Sequence, residues 1–326
     1  MPDSDALYLG IDVGSVSTNL ILIDDHGQIH YKEYLRTQGQ PIPVVQGGLA
    51  GIARVMPGIQ IKAVGTTGSG RQLAGAIVGA DIVKNEITAH AVAATHFQPD
   101  VQTVIEIGGQ DSKIIILREG VVTDFAMNTV CAAGTGSFLD QQANRLNLSI
   151  SELGAIALRS KHPVRIAGRC SVFAESDMIH KQQMGHSLED IVAGLCEALV
   201  RNYLNNVGKG KEIWPPVLFQ GGVAANAGIK RAFEKEFGFE IIIPQYYDTM
   251  GAWGVALLAK EEQAEFKKSS FRGIKLCEDE IEVASFECPD CPNRCEVVTV
   301  LISEHKISGW GDRCGKWQRI NTKATG

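Results

Sequence analysis

Cysteines and glycine-rich turns are the residues of this sequence best suited to chemistry. Cys131 precedes the turn Gly134-Thr135-Gly136, and an amphipathic stretch, residues 138–146, follows it. Small residues let a backbone approach a ligand closely, and a helix start offers free N–H groups and the positive end of a dipole. The segment therefore suits an anion such as a nucleotide phosphate, with a thiol close by. Taken alone, it fits a small buried cysteine before a turn equally well.

A second cysteine has a similar setting. Cys170 lies in the stretch 167–177, where Ser171 is a suitable N-cap and acidic residues follow. Cys131 and Cys170 are therefore both predicted at helix starts, where the dipole favours a thiolate and stabilises a negatively charged cluster. Two cysteines give half of the four thiolates that an iron–sulfur cluster normally needs, and a symmetric dimer would give the rest. Cys196 has apolar neighbours in a helical run and is predicted to be a core residue.

Acidic residues occur at two similar turns. Asp12 lies in the turn 10–15 between two short apolar strands, where a carboxylate can hold Mg²⁺ directly or through water. A solvated Asp in an ordinary hairpin is the alternative. The order of strand, acidic turn, strand, turn and strand begins again near residue 99, with Glu106 in the place of Asp12 and Gln110 and Asp111 at the turn. The repeat predicts an α/β fold with two similar halves facing a cleft.

Other glycine-rich stretches are less specific. Residues 65–71 resemble a Walker loop but lack its Lys-Ser/Thr ending, so we expect a strand-to-helix turn. Gly221 and Gly222 open a helix, which suits backbone contact with a ligand or tight packing of helix on strand. His90 and His96 have no paired ligand at useful spacing and are predicted to be surface or capping residues.

The hydrophobic periodicity predicts the main elements. Strands are predicted at residues 7–13, 18–24, 28–36, 62–66, 101–107, 113–118, 121–127, 217–220 and 241–243. Helices are predicted at residues 44–56, 72–78, 86–96, 229–237 and 248–261, with a mostly helical region from 138 to 207.

The C-terminal part of the chain has a different composition. Residues 267–270 are predicted to be a linker, and five cysteines follow it. A Cys-x-x-Cys pair with a further Cys four residues on is a typical metal-ligand spacing. We expect a Zn²⁺ ion or a second cluster here, the alternatives being a reduced tail or a labile disulfide. The ligands would be four of the five, for which we choose Cys288, Cys291, Cys295 and Cys314, leaving Cys277 out.

Composition limits the classes of function. The 326 residues are 44% hydrophobic, enough for a large core and for two domains. A net charge of −6 without a basic run argues against nucleic acid as a partner. No apolar run is long enough to cross a membrane, and the N-terminus does not read as a signal peptide. The eight cysteines then indicate metal or redox chemistry in a cytoplasmic protein.

These motifs, taken in order, closely resemble the activator ATPases of 2-hydroxyacyl-CoA dehydratases. These are the CoA-substrate-specific enzyme activases of the BadF/BadG/BcrA/BcrD type, which belong to the acetate and sugar kinase, Hsc70 and actin superfamily. The resemblance covers residues 5–262. It rests on the segments 10–15, 106–111, 131–136, 168–170 and 221–226.

The resemblance implies a homodimer with one [4Fe-4S] cluster, held by Cys131 and Cys170 of each subunit, and MgATP bound between the duplicated halves. As catalytic residues we expect Gln110 to orient the attacking water, and Asp12 or Glu106 to hold Mg²⁺ through its waters. The nucleotide contacts that the resemblance implies are Gly14, Ser15, Val16, Ser17, Gly108, Gly109, Gln110, Asp111, Gly134, Thr135, Gly136, Gly221, Gly222 and Asn226.

It also implies a function: MgATP hydrolysis is coupled to transfer of one low-potential electron to a partner iron–sulfur enzyme. Ferredoxin or flavodoxin is the expected donor. Asn19 stands where some dehydratase activators carry Lys, and the shortest activators lack the Cys-rich tail. A double-cubane cluster protein is therefore as plausible an acceptor as a dehydratase. The alternatives are a small-molecule kinase of the same fold and a non-enzymatic nucleotide-gated scaffold.

The expected domain organisation follows from the repeat. Residues 1–98 would form the first subdomain, completed by the helix 247–264. Residues 99–246 would form the second, which carries the cluster cysteines, and residues 265–326 the Cys-rich C-terminal extension.

Overall fold

The computed structural model describes residues 6–263, 268–303 and 305–317. The chain divides into two units, Met1–Val92 with Gly251–Gly326 and Ala93–Met250. The boundary at Val92 lies inside a helix, a few residues before the predicted limit at residue 98.

The first unit contains a mixed sheet of five strands in the order β3-β2-β1-β4-β5. The β1–β2 and β2–β3 pairs are antiparallel, and β4 joins β1 in parallel after the crossover helix α1. Strands β1 and β2 are buried on both faces, and their side chains are mostly aliphatic, as is typical of strands covered on both sides. The elements are β1 (Ala6–Val13), β2 (Ser17–Ile23), β3 (Ile29–Arg36), α1 (Pro41–Val55), β4 (Gln60–Thr67), α2 (Arg71–Val78), β5 (Ile82–Val83), α3 (Glu86–Phe97) and α9 (Met250–Glu262).

The second unit contains a sheet of four strands in the order β8-β7-β6-β9. This order, with antiparallel pairs followed by one parallel pair, repeats β3-β2-β1-β4. The predicted α/β duplication is therefore confirmed. The elements are β6 (Thr103–Ile107), β7 (Ser112–Arg118), β8 (Val121–Asn128), α4 (Gly136–Arg145), α5 (Leu153–Leu158), α6 (Ser171–Gln183), α7 (Leu188–Tyr203), β9 (Val217–Gln220) and α8 (Ala227–Phe237).

Aromatic side chains pack helices α7 and α8 of the second unit against strand β9. Phe233 on α8 meets Tyr203 edge-on at 5.4 Å and Phe219 at 5.3 Å, both between ring centroids. Cys196 on α7 lies in the same core, and burial raises the pKa of its thiol to about 12. The prediction that Cys196 is a core residue is confirmed.

One predicted strand is not formed. Residues 241–243 make only a single parallel bridge, between Ile242 and Leu218. Pro244 follows at once, and because proline has no N–H it cannot extend the hydrogen-bond ladder.

The C-terminal extension forms an antiparallel sheet of three strands, β10 (Ile281–Glu287), β11 (Glu296–Ile302) and β12 (His305–Trp310). Val300 and Ile302 of β11 belong to the same core as β1, since the apolar face of a small sheet needs a cover. Within the predicted linker, Ser270 N–H donates to Asp81 Oδ1 at 2.6 Å, so this segment is anchored. Lys267 lies outside the described residues.

No helix in the described parts of the chain is long and apolar enough to cross a membrane.

Gly10 provides a test of how closely β1 and α9 pack. A Cβ on Gly10 would lie 1.9 Å from the carbonyl oxygen of Ala252, which a backbone cannot accommodate without a shift. We expect Gly10→Ala to lower the free energy of unfolding by about 3 kcal/mol in urea denaturation. Gly47, exposed on α1 with nothing within 4 Å of an added Cβ, is the matched control. Gly47→Ala should raise stability by about 0.5–1 kcal/mol, and equal effects of the two changes would contradict the close packing.

Candidate functional site

The carboxylate of Asp12 is held in a cradle of glycines at the end of β1. Gly14 N–H donates to Ser17 O at 2.8 Å and closes the turn to β2. A Cβ on Gly68 would lie 2.4 Å from Asp12 Oδ1, and one on Gly251 would lie 2.2 Å from Oδ2. Gly68 stands in the strand-to-helix turn predicted for residues 65–71, which is confirmed between β4 and α2. No local pattern in the sequence indicates that this turn and α9 contact Asp12.

Two buried polar atoms flank Asp12 without partners. Asp12 pairs with Asn19 on β2 and with Thr67 on β4, so the three side chains share one face of the sheet. Asn19 is 5% exposed and Thr67 is fully buried, yet neither Asn19 Oδ1 nor Thr67 Oγ1 has a hydrogen-bond partner within the protein. Buried polar groups are normally satisfied, so these oxygens fit a site that takes a metal ion, water or a polar ligand.

His90 lies close to Gly251, the glycine that contacts Asp12. Its Nε2 would be 3.4 Å from a Cβ on Gly251, and the residue is 6% exposed. His90 is therefore buried, and the predicted surface position is wrong, whereas the capping alternative stays a prediction. His90 lies among the buried residues of α3, which include Ile87, Ala91 and Ala94.

Lys113 dominates the electrostatics of the second acidic turn. It is 2% exposed, and its Nζ donates to Glu106 Oε2 at 2.9 Å and to Asp111 Oδ2 at 2.8 Å. The strand register pairs Glu106 with Lys113 as it pairs Asp12 with Asn19, so Lys113 is the counterpart of Asn19 in the repeat. Sequence reasoning missed Lys113, although its spacing from Glu106 matches that of Asn19 from Asp12.

The start of α4 is bound to the turn of the second unit. Gly136 N–H donates to Gly108 O at 2.9 Å, and Ser137 N–H donates to Gly109 O at 2.8 Å. The expectation of free N–H groups at this helix start is therefore wrong for these two, because the neighbouring turn already accepts them. Thr135 is fully buried, and its hydroxyl donates to Ala132 O at 2.9 Å.

The glycine turn after β9 packs on the same carboxylate. Gly221 has φ +86°, and a Cβ there would lie 2.6 Å from Glu106 Oε1 and 2.4 Å from Ile107 O. Only glycine fits this approach. Gly222 is exposed, whereas Asn226 is buried and caps α8, accepting from Gly228 N–H at 2.9 Å. Gly221 thus has a packing role whether or not the turn also meets a ligand.

Cys131 and Cys170 both precede helices. Cys131 leads into a short 3₁₀ turn before α4, and Cys170 occupies the N-cap position of α6, one residue earlier than the cap predicted at Ser171. Asn128 holds the first thiol segment, accepting from Cys131 N–H at 2.9 Å and donating to its carbonyl at 2.8 Å. Both cysteines are partly exposed free thiols.

The end of α7 brings the two thiol segments to one place. Asn202 Nδ2 lies 3.9 Å from Cys131 Sγ. A Cβ on Gly168 would lie 2.9 Å from Ala198 O and 3.2 Å from Arg201 Cβ. The segment of Cys131 and the segment that leads from Gly168 to Cys170 therefore both pack on the last turns of α7.

Apolar side chains beside the thiols are open to solvent. Val130 is 95% exposed, Val172 67% and Phe173 66%. These residues adjoin Cys131 and Cys170 in the chain. Exposed apolar groups of this size commonly mark an interaction surface.

The cysteines of the extension differ in their exposure. Cys288 is buried and its Sγ accepts from Trp317 Nε1–H at 3.4 Å, whereas Cys291 and Cys314 are exposed. In the described residues, no three His, Cys, Asp or Glu side chains come close enough to hold a metal ion. The geometry therefore gives no support to a metal site of Cys288, Cys291, Cys295 and Cys314, which stays a prediction.

Removing the buried ammonium tests the second turn. Lys113→Met would leave Glu106 and Asp111 without their cation, and we expect a loss of about 3 kcal/mol in urea denaturation. The control is Lys235, which is 67% exposed and paired with Glu197 at 2.7 Å. Lys235→Met should change stability by less than about 1 kcal/mol, because a solvated pair contributes little. A loss at Lys113 no larger than at Lys235 would contradict the interpretation.

Known proteins are similar to this chain in sequence. The 2-hydroxyisocaproyl-CoA dehydratase activator of Clostridioides difficile is 36% identical over 267 residues, covering 80% of this chain and 97% of that protein. The (R)-2-hydroxyglutaryl-CoA dehydratase activating ATPase of Acidaminococcus fermentans is 36% identical over 264 residues, covering 78% and 98%.

Two solved structures of such activators are similar to this chain in fold. The Acidaminococcus fermentans (R)-2-hydroxyglutaryl-CoA dehydratase component A superimposes with a TM-score of 0.73 at 33% identity, covering 79% of this chain and 99% of that one. The Clostridium difficile activator with bound ADPNP gives 0.71 at 35% identity, covering 79% and 96%. The actin-like fold is confirmed by these likenesses. Since the sequence also matches the family over residues 9–259, the chain belongs to the BadF/BadG/BcrA/BcrD ATPase family.

Proposed function

We propose that this ATPase is a homodimer that couples MgATP hydrolysis to the transfer of one low-potential electron. One [4Fe-4S] cluster would be held by Cys131 and Cys170 of both subunits. The observation that carries the proposal is the packing of both thiol segments on the last turns of α7. When bound, the cluster supplies a one-electron carrier of low potential.

The thiols fit half of a cluster site. Cys131 and Cys170 are free, partly exposed and placed before helices, where the backbone dipole stabilises negative charge. One chain supplies two thiolates and a cluster takes four, so the donor set requires a second copy. The exposed side chains of Val130, Val172 and Phe173 give that copy an apolar surface to cover.

The first unit's turn supports a role in holding the metal of MgATP. Asp12 offers a carboxylate, and Asn19 Oδ1 and Thr67 Oγ1 beside it are buried acceptors without protein partners. Hard oxygen donors of this kind suit Mg²⁺ and its waters. The Clostridium difficile activator, whose structure contains ADPNP, supports nucleotide binding by this chain.

The second unit's turn supports roles in hydrolysis and coupling. Gln110 is exposed at the turn, where its amide can orient the attacking water, while Glu106 is held by Lys113. The turn is also bonded to the start of α4 through Ser137, and Cys131 lies just before that helix. A shift of the turn on hydrolysis would therefore reach the thiol segment.

The acceptor is an iron–sulfur enzyme. Relatives named as activators of CoA dehydratases support ATP-driven activation of a partner enzyme. Asn19 and the Cys-rich extension, which begins beyond the matched residues, make a double-cubane cluster protein an equally suitable acceptor. Ferredoxin or flavodoxin would supply the electron.

Metal analysis of anaerobically purified protein tests the cluster. We expect about four iron and four sulfide per dimer, with an EPR signal after reduction. Cys131→Ser and Cys170→Ser should each lose both. Cys291→Ser, which changes an exposed cysteine of the extension, should keep them. Iron that survives Cys131→Ser, together with stoichiometric phosphorylation of a sugar, would favour a kinase.

Steady-state ATPase assays test the role of Gln110. Without its amide the attacking water is poorly positioned, and we expect Gln110→Ala to lower kcat about 100-fold with little change in KM. Gln183→Ala, at an exposed position at the end of α6, should have no effect. A change in KM alone would assign Gln110 to binding instead.

A further inference from the structure

The last two residues of α7 connect the carboxylate turn to a thiol within one unit. Tyr203 is fully buried, and its hydroxyl donates to the carbonyl oxygen of Lys113 at 2.7 Å. Lys113 in turn binds Glu106 and Asp111 through its ammonium. Burial raises the pKa of the Tyr203 hydroxyl well above its usual value, so it stays a neutral donor. The end of α7 is thus fixed to the strand that carries the cation of the turn.

Asn202 makes the contact with the thiol of Cys131. Its carboxamide lies next to Cys131 Sγ, with Nδ2 at 3.9 Å and Oδ1 at 4.0 Å. Oδ1 also fills the space above Gly134, where a Cβ would lie 2.7 Å away, and accepts from Asn206 Nδ2–H at 2.8 Å. The side chain of Asn202 is therefore wedged against the backbone turn that follows the thiol.

The helix winding changes directly after these residues. Residues Leu204–Gly208 form a π-helical turn. Such turns are rare and are often found at functional sites. Asn202 and Tyr203 are thus the last two of the sixteen residues of α7, and the wider turn follows them directly.

We propose that Asn202 and Tyr203 are positioning residues that transmit the nucleotide state of the turn at Glu106–Asp111 to Cys131. Nucleotide that moves Lys113 shifts the carbonyl to which Tyr203 is bonded. The adjacent Asn202 then changes the packing of its carboxamide on the Cys131–Gly134 turn. The inference rests on the proposed function, since it presumes that nucleotide binds at this turn.

A second route within the unit makes the inference testable. The bonds from Gly136 and Ser137 N–H to Gly108 and Gly109 O also link the turn to α4. This backbone route does not use the Tyr203 hydroxyl or the Asn202 amide. Variants of these two side chains therefore separate the routes.

The experiment uses full-length protein without cluster, so that Cys131 is a free thiol. The rate of its alkylation by a maleimide is followed by mass spectrometry with and without MgADPNP, and nucleotide affinity is measured by calorimetry. We expect nucleotide to change the wild-type rate at least about fivefold. In Tyr203→Phe the affinity should stay within about twofold while the rate change falls below about twofold. Asn202→Ser should do the same and serves if Tyr203→Phe does not fold.

Tyr8→Phe is the control, because Tyr8 also loses one hydroxyl bond, to Asp25 at 2.8 Å, in the other unit. It should keep the wild-type response. A full nucleotide response in both Tyr203→Phe and Asn202→Ser would overturn the inference and leave the proposed function intact, with α4 as the route. No response in wild type that binds nucleotide would also overturn it. Failure of wild type to bind MgADPNP would instead remove the proposed function.

Discussion

The buried ammonium of Lys113 is the interaction on which the second unit's site depends. It compensates Glu106, which is 6% exposed, and fixes Asp111, whose carbonyl closes the turn by accepting from Gly108 N–H at 3.0 Å. The same turn accepts the first N–H groups of α4, and Gly221 packs on the other oxygen of Glu106. A buried charge without its partner is strongly unfavourable. The positions of the turn 106–111, the start of α4 and the glycine turn at Gly221 therefore all depend on the ammonium of Lys113.

The two units share a topology but differ in the chemistry of the paired positions. In the first unit Asp12 is flanked by Asn19 and Thr67, and in the second Glu106 is flanked by Lys113 and Gln220. An amide and a hydroxyl beside a carboxylate attract a cation, whereas an ammonium already supplies one. Under the proposed function, the difference favours Asp12 over Glu106 as the carboxylate that would hold Mg²⁺.

The extension belongs structurally to the first unit. Gln46 on α1 donates to the carbonyls of Leu276 at 3.1 Å and Asp279 at 2.8 Å, and Leu276 lies in the core with Val300. Residues beyond the family match are therefore part of the core of that unit, where their apolar side chains are covered. Its cysteines are spread between buried and exposed positions, from the buried Cys288 to the exposed Cys291 and Cys314.

The sequence alone determined what is local in the chain. Hydrophobic periodicity predicted most of the strands and helices, and the repeated order of strands and turns predicted the duplication. The residues after Cys131 and Cys170 predicted that both cysteines precede helices. Only the tertiary structure decided which groups meet: Lys113 with Glu106, Gly68 and Gly251 with Asp12, and Asn202 with Cys131. It also decided that α4 begins with occupied N–H groups and that His90 is buried. These contacts join strands and helices far apart in the chain, and no local propensity encodes which of them become neighbours.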